Sequence, residues 1–225
     1  MRVSVPRFVQ LLLLLCCLLL IAPAGAQEGY VIPPDPEGVD VSLAIAAVRD
    51  QPITLGAFRA RVRYERWRYF ETLLHLVREN GISALDPNDL ENPQAGAVQN
   101  VATLLSDQAT FGLLVYEAMI RESIYHNELQ ARMLEVDPCA VNRGWSVTLS
   151  LPIPTDCQVA PEFEAARADY IQRATIFSGM SDAEIEQTII SRVEVETVQA
   201  AIAVEATPPP VPTATTRHIR LATMG

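Results

Sequence analysis

The 225-residue chain contains no lysine; all 17 of its basic residues are arginine. That absence excludes Schiff-base chemistry and any phosphate loop built on a lysine. Glycine is scarce at 10 residues and aromatics reach only 6%. A glycine-cradled nucleotide site and a large β-sandwich are therefore disfavoured. No G-x-G-x-x-G, P-loop, H-E-x-x-H, C-x-x-C or G-x-S-x-G occurs in the chain. The common signatures of dinucleotide, nucleotide, zinc-peptidase, redox and serine-hydrolase sites are thus missing, and no cofactor or metal is expected. Positive charge is also short, with 27 acidic residues giving a net charge of −10. Such a field repels phosphate backbones, so nucleic acid is not an expected partner.

What is present begins with a processing signal. Arg2 and Arg7 form a positive start, Phe8 to Ala22 is an apolar run, and Ala24-Gly25-Ala26 is a small-residue cleavage site before Gln27. This reads as a signal peptide over 1–26. The rival reading is a transmembrane helix, but the run is short of the about 20 residues a span needs. Cys16 and Cys17 lie inside the apolar run without a lipoprotein pattern. Cleavage would leave 15 arginines against 27 carboxylates, a balance of −12. The expected location is periplasmic, cell-envelope or extracellular, with no membrane span after cleavage. Only Cys139 and Cys157 would then remain. In an exported chain their simplest state is a disulfide; a metal pair and two free thiols are the alternatives, and without nearby histidine or further cysteine the zinc site is poor.

Ala, Leu, Ile, Val, Glu and Arg dominate the remainder, which favours helices. Residues 27–42 carry Pro33, Pro34 and Pro36 and read as an extended leader. A short strand over Leu43–Val48, a turn at Arg49-Asp50-Gln51 and a helix entry capped by Thr54 come next. The spacing predicts a helix over Leu55–Asn80, ended by Gly81, with Phe58, Val62, Tyr69, Leu73 and Leu76 on one face. A loop around Pro87–Pro93 and a short helix over Gln94–Leu105 lead to a second long helix over Gln108–Glu135. Its two apolar faces, one with Phe111, Val115 and Leu129 and one with Leu113, Tyr116, Ile120 and Ile124, predict a helix sandwiched by others. Asp137-Pro138 ends it. Asn142–Gln158 reads as an excursion loop, with a short hairpin as an option, inside a disulfide loop over 137–160. Helices over Pro161–Phe177 and from a Ser181–Glu184 capping box to about Ala206 complete the domain over 43–206. Residues 207–225 form a proline-rich linker and a strand-like His218–Leu221, whose unpaired edge would invite a homodimer.

Several charged residues ask for partners. Glu122 falls on the apolar face of the second long helix and needs an ion pair, for which Arg59, Arg63 and Arg66 are the natural donors. Glu65 is similar and nearer the surface. The run Arg59–Arg68, interleaved with Tyr64 and Trp67, could grip nucleic acid, anionic lipid or an acidic peptide; in an acidic exported chain, ion pairs with Glu65, Glu71 and more distant acids are the stronger reading. His75 and His126 have no i+4 carboxylate or histidine in a metal-ligand pattern and read as ordinary helix residues.

The order of segments carries a resemblance. AIAAV, the turn RDQ and PITLGAFRARV open a long helix; LLVYEAMIRESIYHNELQARMLEV follows; MSDAEIEQTIISRVEVETVQAAIAVE then precedes a proline-rich linker and TRHIRLAT. This order resembles the SurA/PrsA group of exported folding factors, over about Ala44 to Leu221. In that group a strand, an Asn-Gly-type turn and an x-I-T helix entry open a helical chaperone region. A parvulin-type peptidyl-prolyl isomerase domain beginning A-R-H-I-L follows a linker. Two departures stand out. Arg49-Asp50-Gln51 replaces the usual turn, and the chain stops at Gly225, just past the Thr216–Ile219 that resembles the opening of the isomerase domain. His218 is the one residue that could match an active-site histidine, and one residue makes no site.

The resemblance implies a mainly α fold, a SurA N-terminal-like helical domain with a small N-terminal β element. It implies an ATP-independent chaperone or holdase whose partners are unfolded or nascent exported polypeptides. Trp67, Phe70, Tyr116, Met119 and Met133 are the candidate peptide-binding residues, because methionine and aromatics adapt to varied apolar partners; plain core is the competing role for each. The alternative readings are the front part of a peptidyl-prolyl cis-trans isomerase whose catalytic domain is missing from this chain, and an envelope interaction protein that docks through its disulfide loop. No catalytic residue is expected on this chain.

Overall fold

A computed structural model describes residues 32, 37–81, 86 and 95–206. The expected signal peptide at 1–26, most of the expected leader, most of the expected loop around Pro87–Pro93, and residues 207–225, where a linker and a strand are expected, lie outside the described residues. Within them the fold is mainly helical, with one two-stranded antiparallel sheet near the N-terminus.

The sheet pairs β1 (Ala44–Val48) with β2 (Gln51–Thr54) in a register running from Ala44 opposite Thr54 to Val48 opposite Gln51. Arg49 and Asp50 are the two turn residues, and Arg49 takes the left-handed φ of 53° that lets so short a turn close. The expected strand and turn are present; a second strand occupies what reads in sequence as only a helix entry. Thr54 then caps α1 (Leu55–Asn80), accepting the Ala57 N–H at 3.2 Å. The first turn of α1 is tied back to the preceding chain. The Leu55 and Gly56 N–H groups donate to the Leu43 and Val41 carbonyls, both at 2.8 Å. A Cβ on Gly56 would stand 3.1 Å from that Val41 oxygen, so glycine permits the approach.

After α1, α2 (Ala95–Ser106) runs to Asp107, whose carboxylate accepts the Ala109 and Thr110 N–H groups and starts α3 (Gln108–Ala131). This helix ends earlier than its periodicity predicts. Met133 adopts a φ of 53°, and the Leu134 and Met133 N–H groups donate to the Leu129 and Gln130 carbonyls, a Schellman closure.

The expected loop over Asn142–Gln158 needs correction: its first part is helix. Asp137 caps and Pro138 opens α4 (Pro138–Thr148). The pair that terminates one helix therefore begins the next, since proline at a first turn forfeits no hydrogen bond. A second Schellman closure ends α4, with Ser150 at φ 55° and the Leu151 N–H on the Ser146 carbonyl. Cys139 and Cys157 form a disulfide, Cα to Cα 4.9 Å, which clasps the following loop to the start of α4.

Phe163 begins α5 (Phe163–Ser178), and Gly179 closes it at φ 75°. The Ser181–Glu184 box forms as read: the Glu184 carboxylate accepts the Ser181 N–H at 2.7 Å, and the Ser181 hydroxyl accepts the Glu184 N–H at 3.3 Å. It starts α6 (Asp182–Ala206). Helix α1 packs on α2, α3 and α5, and α6 packs on α3, α4 and α5. The main core gathers Tyr64, Trp67, Trp145, Tyr170, Ile185 and Ile189 from α1, α4, α5 and α6. Among the described residues, no helix is long and apolar enough to cross a membrane.

Candidate functional site

Two features could carry function: a buried charge cluster between α1, α3 and α6, and the apolar surface of α1 and α3. The cluster centres on Arg61 and Glu65, one turn apart on α1 and both buried. Arg61 Nε donates to Glu65 Oε1 at 3.0 Å, while Nη1 and Nη2 grip both oxygens of Glu122 at 3.1 and 2.7 Å. Glu65 also accepts from Arg68 at 2.7 Å and from Arg192 of α6 at 3.1 Å. The partner of Glu122 is thus Arg61 and not Arg59, Arg63 or Arg66, and Glu65 lies deeper than Glu122 instead of nearer the surface. The rotation of α1 against α3 selects the residue, and spacing within α1 alone does not fix that rotation.

The electrostatics follow from this geometry. Burial would push the Glu65 carboxyl up, but Arg68, Arg61 and Arg192 outweigh it and hold the group down at about 2. Burial likewise works against the Arg61 charge, yet Glu122 and Glu65 raise its proton affinity overall. Glu65 and Arg61 therefore stay ionised at neutral pH, each with its hydrogen-bonding partners in reach. The arrangement locks three helices together and offers no group poised to exchange a proton with a substrate.

His126 sits nearby with the same outcome. Its Nδ1 lies 3.1 Å from the buried Glu194 carboxylate, and its Nε2 lies 2.9 Å from the Gln130 amide. The Ser123 hydroxyl donates to the Met119 carbonyl at 3.0 Å. Both ring nitrogens of His126 are therefore engaged, leaving none to activate a serine. His75 does have a carboxylate four residues on, Glu79 at 3.1 Å, but the pair is an exposed surface contact. Among the described residues no three His, Cys, Asp or Glu side chains are placed to hold a metal.

The five candidate peptide-binding residues do not converge on one site. Trp67 is core: it meets Tyr170 edge-on at 4.9 Å and stacks on Phe177 at 6.2 Å. Phe70, three residues on, is 51% exposed. Tyr116 is half-buried with its ring edge-on to Phe58 at 6.2 Å. Met119 lines a shallow pocket with Arg61 and Glu122. Met133, at the closure of α3, is 89% exposed. A different set forms a continuous surface. Leu113 and Ile124 of α3 are 56% and 51% exposed, and the half-buried Tyr116 and Ile120 lie between them on the same helical stripe. The expectation that other helices cover this second face is met only in part among the described residues: Tyr116 packs against Phe58 of α1 and Ile120 is half-buried, while Leu113 and Ile124 stay exposed. Its 3.6-residue period was visible in the sequence; its exposure depends on which face the neighbouring helices take. Comparison with family models, curated proteins and solved structures finds no match for the chain.

Proposed function

We propose that the chain is an exported, ATP-independent holdase that shields apolar stretches of unfolded polypeptide. The observation that carries the reading is the partly exposed stripe Leu113–Tyr116–Ile120–Ile124 on α3, open at its two ends and half-buried between them. The eleven steps from Leu113 to Ile124 cover about 16 Å of helix at 1.5 Å per residue. Exposed apolar side chains grouped on one helix face are the kind of surface that interaction sites use. It suits an occupant held by area burial with few directional bonds, as an unfolded client requires. Phe70 and Met133 add further exposed apolar side chains outside the stripe.

Light scattering from a chemically denatured, unrelated enzyme diluted into buffer tests the proposal. The purified chain should suppress aggregation near a one-to-one ratio without nucleotide. The double variant Leu113→Ser with Ile124→Ser should lose most of that suppression while keeping its helical spectrum. No suppression at several-fold excess, or full suppression by the double variant, would overturn the reading.

A further inference from the structure

A concavity of about 540 Å³ lies on another side of α1, between that helix, α5 and the end of α4. We propose that this groove binds an extended acidic peptide, with arginines taking its carboxylates. The inference does not rest on the holdase reading.

Arg68, Glu71, His75 and Arg78 line one wall, at the three- and four-residue spacings of a single α1 face. Asp169 and Arg173 of α5 stand opposite, and Arg192 of α6 joins them. Guanidinium donors outnumber the acceptors available to them. Glu65, beneath the groove, is already filled by Arg61, Arg68 and Arg192. Arg173 gives Nε to Asp169 and Nη1 to Glu71, both at 2.9 Å, which leaves its Nη2 without a carboxylate. Arg192 uses only Nη2 on Glu65. Arg78 has no ion-pair partner among the described residues. Four arginines thus line the groove against two lining carboxylates, Glu71 and Asp169, with Glu65 shared outside the lining by Arg68 and Arg192, in a chain of net charge −10. Unused planar N–H forks match carboxylates in geometry as well as charge.

Length and lining favour a peptide over a small ion. From Arg68 to Arg78 the groove follows α1 for about 15 Å. Four to five residues of extended chain, at about 3.3 Å each, cover that distance. The rim is not wholly polar: Val147 is 62% exposed and Leu149 lies beside it. An extended strand alternates its side chains, so it can set acidic groups on the arginines and apolar ones on this wall.

Fluorescence anisotropy at low ionic strength, with a labelled Leu-Glu-Leu-Glu-Leu-Glu peptide and its Leu-Gln counterpart, tests the assignment on the full chain. The acidic peptide should bind saturably, at least about tenfold more tightly than the amide peptide, and should weaken with added salt. Arg78→Glu should weaken it by at least about tenfold. Arg78 is an exposed side chain outside the α3 stripe, so the same variant should keep its helical spectrum and its suppression of client aggregation, with at most a small drop in melting temperature from the charge reversal at the end of α1. Equal binding of the two peptides, unchanged binding by Arg78→Glu, or displacement of the peptide by submillimolar inorganic phosphate would each overturn the proposal; the last would make the groove a simple anion site.

Discussion

Acid is the most direct perturbation of the buried charge cluster, because one carboxyl in it titrates far from its ordinary value. Burial would push the Glu65 carboxyl up, yet Arg68, Arg61 and Arg192 hold it at about 2, against an ordinary 4.5. At about 1.4 kcal/mol for each tenfold in proton affinity, the difference amounts to about 3 kcal/mol of stability at neutral pH. The folded carboxyl titrates below the unfolded one. The stabilisation is therefore complete above about pH 5 and is lost as the pH falls towards 2. Integrating the two titrations places about 2 kcal/mol of that loss above pH 3. Glu65→Gln removes the titrating group, and at pH 7 it also leaves three guanidiniums without their shared acceptor, a cost of about 3 kcal/mol or more. The stability difference between wild type and variant should then shrink by about 2 kcal/mol from pH 7 to pH 3. Urea unfolding at a series of pH values measures this. Trp67 and Trp145, the chain's two tryptophans, are both buried, so their fluorescence reports the core directly. Curves for wild type and variant that stay parallel from pH 7 to pH 3 would refute the assignment of the proton to Glu65.

Three further outcomes follow from packing and capping. Reducing the Cys139–Cys157 bond, which closes a separation of 18 residues, should cost about 3 kcal/mol by the loop-entropy relation, seen as a lower thermal midpoint with reductant present. Ser181→Ala removes one half of the α6 capping box and should cost about 1 kcal/mol in the same melts. The Tyr64 and Tyr170 hydroxyls meet at 3.0 Å in the core. Tyr64→Phe should cost about 1 kcal/mol, whereas adding Tyr170→Phe should cost little more, because the double change leaves no buried hydroxyl unpaired. Additive costs in that cycle would mean that each hydroxyl has another partner.

How far the sequence determines each element depends on whether its ends are marked by side chains or by backbone. Both bounds of α1 are legible because Thr54 supplies a cap and Gly81 a stop. The start of α6 is legible because Ser181 and Glu184 answer one another. The ends of α3 and α4 are not, because left-handed closures fall on Met133 and Ser150, where glycine would have announced them. A strained non-glycine residue at that position is selected by what packs around it, and such packing leaves no local pattern. Pro138 conceals α4 for a related reason, since the same residue can end a helix or begin one. The exposed stripe on α3 follows the same logic: its period is a property of one helix, while its exposure is a property of all its neighbours.

The charge cluster joins composition to structure. Arg61 reaches two carboxylates on different helices with three nitrogens, Nε to Glu65 and both terminal amino groups to Glu122. A lysine at that position would bring one compact ammonium, unable to span both acceptors with a planar fork. Glu65 in turn accepts from three separate arginines. A chain whose cations are all arginine can thus bury an acid that a lysine-rich chain would have to leave wet, because desolvating charge is tolerable only when nearly every donor and acceptor is matched. The run Arg59–Arg68 resembles an anion-binding surface when read alone. Its inner members, Arg61 and Arg68, are instead spent on Glu65 and Glu122, which fixes α1 against α3 and α6. The arginine left with an open fork, Arg78, lies two to three turns further along the same helix, where the wall opens into the groove. On the groove proposal, the structural and binding roles of the α1 arginines would be divided by the supply of buried carboxylates, with Arg68 at the boundary. Arg61 and Arg68, which meet buried carboxylates, tie α1 into the core, while Arg78, which has no ion-pair partner among the described residues, is the one the proposed acidic ligand would use.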